Sequence, residues 1–222
     1  PALCYLLEHC GKDFGPALSE RIVAIAGMKL NEANPMVKAW AEAFTRIVVY
    51  PSRSLASIKD PAEFEKESAK SRAINMASMR ALDKCKKQGK AVLVFPSGTR
   101  YRPGQPETRE GLREIDSYLR LFDVMILVST NGSCLRISPD NPEDMLADLV
   151  YEDVVIMTAS PVIACRQFRD EAMAEAPADM EDKKNFVVQK IMRMLKEQHD
   201  AHQDEYLRLY KKATGKDSDY YV

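Results

Sequence analysis

The sequence predicts an α/β fold, a mixed and largely parallel central sheet flanked by helices. Three observations lead there. Short β-branched runs alternate with helical stretches along the chain. The longest helical stretch lies between two such runs and carries start and stop signals at its ends. The chain has 222 residues, 45% of them hydrophobic, which is enough for one domain with a sizeable core over 1–222.

The elements follow in order. Ala2–Cys10 reads as a helix with Pro1 in its first turn. Ile22–Ala26 (IVAIA) is a buried strand ending at Gly27. Asn34 caps a helix over Met36–Thr45 that carries Trp40, read as a core residue. Ile47–Tyr50 (IVVY) is a strand. Asp60-Pro61 opens a helix that runs to Gln88 and stops at Gly89. Ala91–Phe95 (AVLVF) is a strand closed by Pro96. Leu112–Leu121 is helix and Val124–Ser129 is strand. Val154–Thr158 and Val162–Cys165 are strands on either side of a Ser160-Pro161 break. The acidic stretch Glu171–Asp182, with Pro177, reads as a loop. Asp179–Lys212 is two helices or one bent helix, with Val187, Ile191, Met194 and Leu195 as its apolar stripe.

Composition removes several functional classes. A net charge of -1 argues against a general nucleic-acid binder, which carries a basic excess. The 5 cysteines form no C-x-x-C pair, so a zinc ribbon or disulfide scaffold is not expected, and reduced thiols point to a cytoplasmic setting. In that setting the sequon Asn131-Gly132-Ser133 stays idle. The longest apolar stretch, Val154–Cys165, is broken by Thr158, Ser160 and Pro161 and is too short to span a membrane. A peripheral membrane contact remains compatible with the sequence.

The segment with chemical content is Ala91–Gly104, AVLVFPSGTRYRPG. A buried strand ends in Pro96-Ser97-Gly98, followed by Thr99, Arg100, Tyr101 and Arg102. Ligands of parallel sheets sit beyond the carboxyl ends of strands. Gly98 tolerates positive φ and lets backbone approach a ligand. Arg100 and Arg102 share one face in extended geometry, and two guanidinium forks on one face suit a phosphate dianion. Spacing alone, however, favours a solvated turn whose arginines face water.

VFPSGTRYRP resembles the phosphate-binding motif of the glycerolipid acyltransferases, the glycerol-3-phosphate and 1-acylglycerol-3-phosphate acyltransferases, whose usual form is FPEGTR. The soluble plastid-type glycerol-3-phosphate acyltransferases carry a PSG variant with a second Arg two residues on, so Ser97 places the resemblance nearest that branch. IVAIAGMKL (Ile22–Leu30) and IVVYPSR (Ile47–Arg53) stand where the family's middle motifs stand, and the resemblance extends over about residues 1–165. It implies a glycerol-3-phosphate acyltransferase-like fold and a phosphate held by Arg100 and Arg102. It also implies a turn shaped by Ser97, Gly98 and Thr99, and a further phosphate contact from Arg53. The plastid enzymes follow that basic residue with His, where this chain has Ser54.

The same resemblance implies the reaction. A fatty acyl group passes from acyl carrier protein or coenzyme A thioester to glycerol 3-phosphate in phospholipid biosynthesis, with no cofactor and no metal. The family's catalytic His, four residues and Asp precede a Pro-Ala helix ending in Leu-Leu-Glu, and PALCYLLE resembles that helix. The chain therefore reads as starting just after the motif, with the expected His and Asp before Pro1. His9 is the fallback base: it could pair with Asp13 on a helix face, although Gly11 between them weakens that helix. His199 and His202, in EQHDAHQDE, read as a solvated helix face rather than a metal site. The 1-acylated acceptor, or a non-catalytic phosphate-binding module, fits the same arginines.

Overall fold

The computed structural model describes residues 2–28, 45–51, 55, 58–102, 104–142, 144 and 147–218. Arg53, Ser54, Trp40 and the helix expected over Met36–Thr45 fall outside these residues, apart from Thr45 itself. The chain divides into two compact units, Pro1–Gly98 and Thr99–Val222.

In the first unit, helix α1 (Ala2–Cys10) is followed by a 3-10 turn (Lys12–Phe14) and helix α2 (Gly15–Ser19). Strands β1 (Ile22–Gly27), β2 (Arg46–Val49) and β3 (Ala91–Leu93) form a parallel sheet in the order β2-β1-β3. The registers are Ala24 with Arg46 and Ile22 with Ala91. Helix α3 (Pro61–Lys87), which leads into β3, packs against both β2 and β3.

Helix α3 starts and stops where its sequence says. The Asp60 carboxylate accepts from the Glu63 amide at 2.8 Å, and Pro61, lacking an N–H, occupies the first turn at no hydrogen-bond cost. Gly89, at φ 64°, follows the C-terminus, where Lys84, Lys86 and Lys87 complement the helix dipole. Leu82 is fully buried and meets a core that includes Val23, Ile47 and Tyr50.

Polar bonds fix the helix on the sheet. The Asn75 amide accepts from the Tyr50 N–H at 2.9 Å and donates to the Tyr50 carbonyl at 3.1 Å. Ser78 donates to the Val48 carbonyl, and the Tyr50 hydroxyl to Glu67 at 2.8 Å. Asn75 thus serves both backbone groups of the residue that follows β2.

In the second unit a 3-10 turn (Pro106–Arg109) leads to helix α4 (Ile115–Leu121). Three successive antiparallel strand pairs, nested one inside the next in sequence, then form a ribbon among the described residues. Strand β4 (Val124–Met125) pairs with β9 (Ile163–Ala164), β5 (Val128–Asn131) with β8 (Ile156–Ala159), and β6 (Leu135–Arg136) with β7 (Leu149–Val150). The register slips between pairs: Met125 faces Ile163, Val128 faces Ala159, and Leu135 faces Val150. The returning side carries one extra residue between β8 and β9, at the Ser160-Pro161 break, and two more between β7 and β8; at the break, proline cannot donate to the ladder. Ser160 repairs the gap, its hydroxyl accepting from the Leu127 N–H at 3.0 Å.

Helices α5 (Cys165–Glu175), α6 (Lys183–Asp200) and α7 (Gln203–Thr214) follow the ribbon. Their apolar faces bury Phe168, Ala172, Val187, Val188, Ile191 and Tyr206 with Ile115 and Leu119 of α4.

Several expectations need correction. The strands of the second unit pair antiparallel as a ribbon, so the parallel sheet is the small three-stranded one of the first unit. The strand expected over Val124–Ser129 is two strands, because β4 and β5 have different partners. Residues 112–114 precede α4 rather than belonging to it, and residues 171–175 are helical. Only from Ala176 does the acidic stretch leave the helix, because a residue before Pro177 is pushed to extended backbone. Met194 and Leu195 are half-buried, and Val188 joins Val187 and Ile191 in the core.

Candidate functional site

The turn after β3 is built in the first unit. Gly98 adopts φ 65°, and its N–H donates to the Phe95 carbonyl at 2.9 Å. A side chain at residue 98 would strain that bend. Ser97 is half-buried.

Thr99, Arg100 and Arg102 belong to the second unit, within a loop closed on itself. The Arg102 N–H donates to the Thr108 hydroxyl at 3.0 Å, and that hydroxyl donates to the Gln105 carbonyl at 2.6 Å. The Gln105 N–H returns to the Arg102 carbonyl at 3.0 Å, and Gly104 makes the bend at φ 82°. The Arg109 guanidinium lies over the Tyr101 ring, 3.7 Å from its centroid. Tyr101 and Arg102 are therefore braced against Gln105, Thr108 and Arg109 by backbone, hydroxyl and ring contacts.

The two arginines converge on a carboxylate, where spacing alone favoured side chains turned to water. Arg100 Nη2 and Arg102 Nη1 both bond Asp148 Oδ2, the latter at 3.3 Å. Arg102 also donates to the Pro142 carbonyl. The Arg102 side chain is 4% exposed and Asp148 1%, whereas Arg100 is 29% exposed. Two guanidinium groups thus meet one buried carboxylate oxygen.

The two arginines, both expected to hold a phosphate, differ in setting. Arg102 is a buried tie between the loop and the tip of the ribbon, and Arg100 is the solvent-facing member. Asp148 was not legible in the sequence. It lies 46 residues from Arg102, and no local pattern marks an Asp before a strand as a partner for a distant arginine.

The fallback base is placed differently from the expectation. Helix α1 ends at Cys10 and Lys12 adopts φ 50°, so His9 and Asp13 do not share a helix face. The His9 ring stacks on Tyr5 at 4.1 Å, and its Nδ1 lies 2.9 Å from the Tyr5 carbonyl. His199 Nδ1 lies 3.3 Å from Asp200, and His202 Nδ1 lies 2.9 Å from the Gln198 carbonyl. Among the described residues no group of three or more His, Cys, Asp or Glu could hold a metal ion.

No protein-family model and no curated protein matches the chain. Among the described residues no helix is long and apolar enough to cross a membrane. All five cysteines are free thiols, with only Cys165 buried.

The Asn131 sequon meets a structural obstacle as well. Asn131 is fully buried, and its amide donates to the His199 carbonyl at 2.9 Å and to Gln203 at 3.0 Å. Beside it, Asp153 accepts from the Ser133 N–H at 2.9 Å, from Arg136 at 3.0 Å and from the Tyr206 hydroxyl at 3.0 Å. Burial is the main cause that pushes the Tyr206 phenol up to about 12. This network ties the ribbon to α7.

Proposed function

We propose that the chain serves acyl transfer to glycerol 3-phosphate, with Arg100 holding the acceptor's phosphate. The acyl group comes from an acyl carrier protein or coenzyme A thioester, and the parallel sheet followed by the Pro96–Arg102 turn is the core of a glycerol-3-phosphate acyltransferase-like fold. The observation that carries this reading is the convergence of Arg100 and Arg102 on one anionic oxygen, in a motif ordered strand, Pro-Ser-Gly, Thr-Arg-Tyr-Arg. An arrangement that gathers two guanidinium groups on one anionic oxygen suits a phosphate.

The roles divide. Arg102 positions the loop through Asp148, and Arg100 presents its exposed edge to the ligand. The implied chemistry is attack of the acceptor hydroxyl on the thioester carbonyl, with a His-Asp pair removing the proton. His9 is not the proposed base, because stacking and the Tyr5 carbonyl already hold its ring.

The burial of Asp148 favours a second reading, a phosphate-binding module without catalysis in which the Arg102–Asp148 tie is purely structural. Calorimetry with glycerol 3-phosphate and with glycerol tests the site. Binding of the phosphate ester alone, weakened by Arg100→Ala, supports it, and equal affinity of the two chains for the ester overturns it. Transfer of acyl label to the ester, with either thioester as donor, separates catalysis from mere binding.

A further inference from the structure

The geometry points to a second anion site in the Thr99–Val222 unit, a cavity between α4 and α5 that takes a small organic phosphomonoester. The cavity has a volume of about 340 Å³ and is lined by Leu119 and Arg120 of α4 and by Arg166, Arg169 and Asp170 of α5. That volume exceeds what a bare phosphate fills and lies at the low end of small-molecule sites.

A buried carboxylate organises the arginines. Asp116 of α4 is 1% exposed and meets one arginine from each helix. Its Oδ1 accepts from Arg169 Nε at 2.6 Å. Its Oδ2 lies 3.4 Å from Arg120 Nε, an ion pair without an aligned hydrogen bond. Because both contacts use Nε, each guanidinium is oriented from below while its two Nη groups project elsewhere. Arg120 Nη2 rests on the Ser117 hydroxyl at 3.3 Å, and Arg169 Nη1 stands 3.7 Å from Asp170. These are weak contacts that an anion can outcompete.

Arg166, exposed on the same helix, adds a third guanidinium. Three cations against Asp116 and Asp170 leave one net positive charge. Guanidinium forks arriving from two helices match the separate oxygens of a tetrahedral phosphate better than a planar carboxylate. Leu119 and the aliphatic stems of the arginines give the ligand's organic body an apolar floor. Asp170, 66% exposed, offers an acceptor to a hydroxyl on that body.

This site involves none of Arg100, Arg102 or Asp148, so the test is run in the Arg100→Ala chain. Phenyl phosphate and inorganic phosphate are titrated while backbone amide shifts are followed by NMR. Saturating shifts at Leu119–Arg120 and Arg166–Asp170 are expected, with phenyl phosphate binding more tightly than inorganic phosphate. Arg166→Ala, an exposed substitution that leaves the Asp116 pairs intact, should weaken phenyl phosphate binding about fivefold, the loss of one exposed charge-assisted contact. Absence of saturating shifts at those residues, or unchanged affinity in Arg166→Ala and in Arg120→Ala, would overturn the site.

Discussion

Arg102 and Asp148, 46 residues apart in sequence, meet at 3.3 Å with both side chains almost wholly removed from water. A buried pair of this kind adds little net stability over an apolar pair of the same shape, because desolvation offsets the attraction. Its effect is on geometry. It fixes where the basic loop stands relative to the tip of the ribbon, and so fixes what Arg100 can reach.

Breaking the pair should be costly in one direction. Arg102→Ala leaves Asp148 buried with Arg100 as its remaining partner here, and leaves the Pro142 carbonyl without that donor. The expected loss is about 3 kcal/mol, the low end for a broken buried ion pair. Urea unfolding followed through a probe in the Thr99–Val222 unit measures it. A loss within the range of an ordinary surface substitution would show the pair to be energetically idle.

Arg100→Ala should act on binding and hardly on stability. Its side chain is 29% exposed, and Asp148 keeps Arg102 when it is lost. Glycerol 3-phosphate affinity should fall by roughly 1.5–3 kcal/mol, the worth of a hydrogen bond to a charged group. Titration calorimetry reads the change directly, and an unaltered melting temperature shows that the fold is kept.

Gly132 tests the ribbon where it meets α7. Its φ is 87°, and a Cβ placed there would stand 1.9 Å from the Val154 carbonyl oxygen and 2.9 Å from the Tyr206 ring. Gly132→Ala therefore adds a backbone clash to a strained conformation, for a cost of about 2 kcal/mol or more. Thermal denaturation should show a clear drop, whereas Gly104→Ala, with open space around it, carries the conformational strain alone.

Tyr206 predicts an alkaline limit. Its folded pKa is raised from 10.0 to about 12, chiefly by burial, with Asp153 adding to the rise. Below pH 10 the phenol is neutral in both states, and its contribution to stability is complete. As pH climbs from 10 toward 12 the unfolded chain loses its proton first, so stability falls through that window. The loss amounts to about 2–3 kcal/mol at one unit per 1.36 kcal/mol. Urea midpoints measured across that range should decline less in Tyr206→Phe than in the parent chain.

The local elements and the basic turn were legible in the residues themselves. Asp60-Pro61 and Gly89 bounded α3, because caps and breakers act over a few residues. The IVAIA, IVVY and AVLVF runs formed the parallel sheet within a residue or two of their expected ends. Arg100 and Arg102, two apart, did share a target. Tertiary structure alone decided what that target is. It also decided that Val124–Ala164 folds back as a slipped ribbon rather than extending a sheet, that Glu171–Glu175 stays helical, and that Asp116 gathers two arginines from different helices. Each of these depends on partners tens of residues away. Local periodicity can say which faces are apolar and which turns are permitted, but strand pairing and buried ion pairs are settled by which distant groups the packed chain brings together.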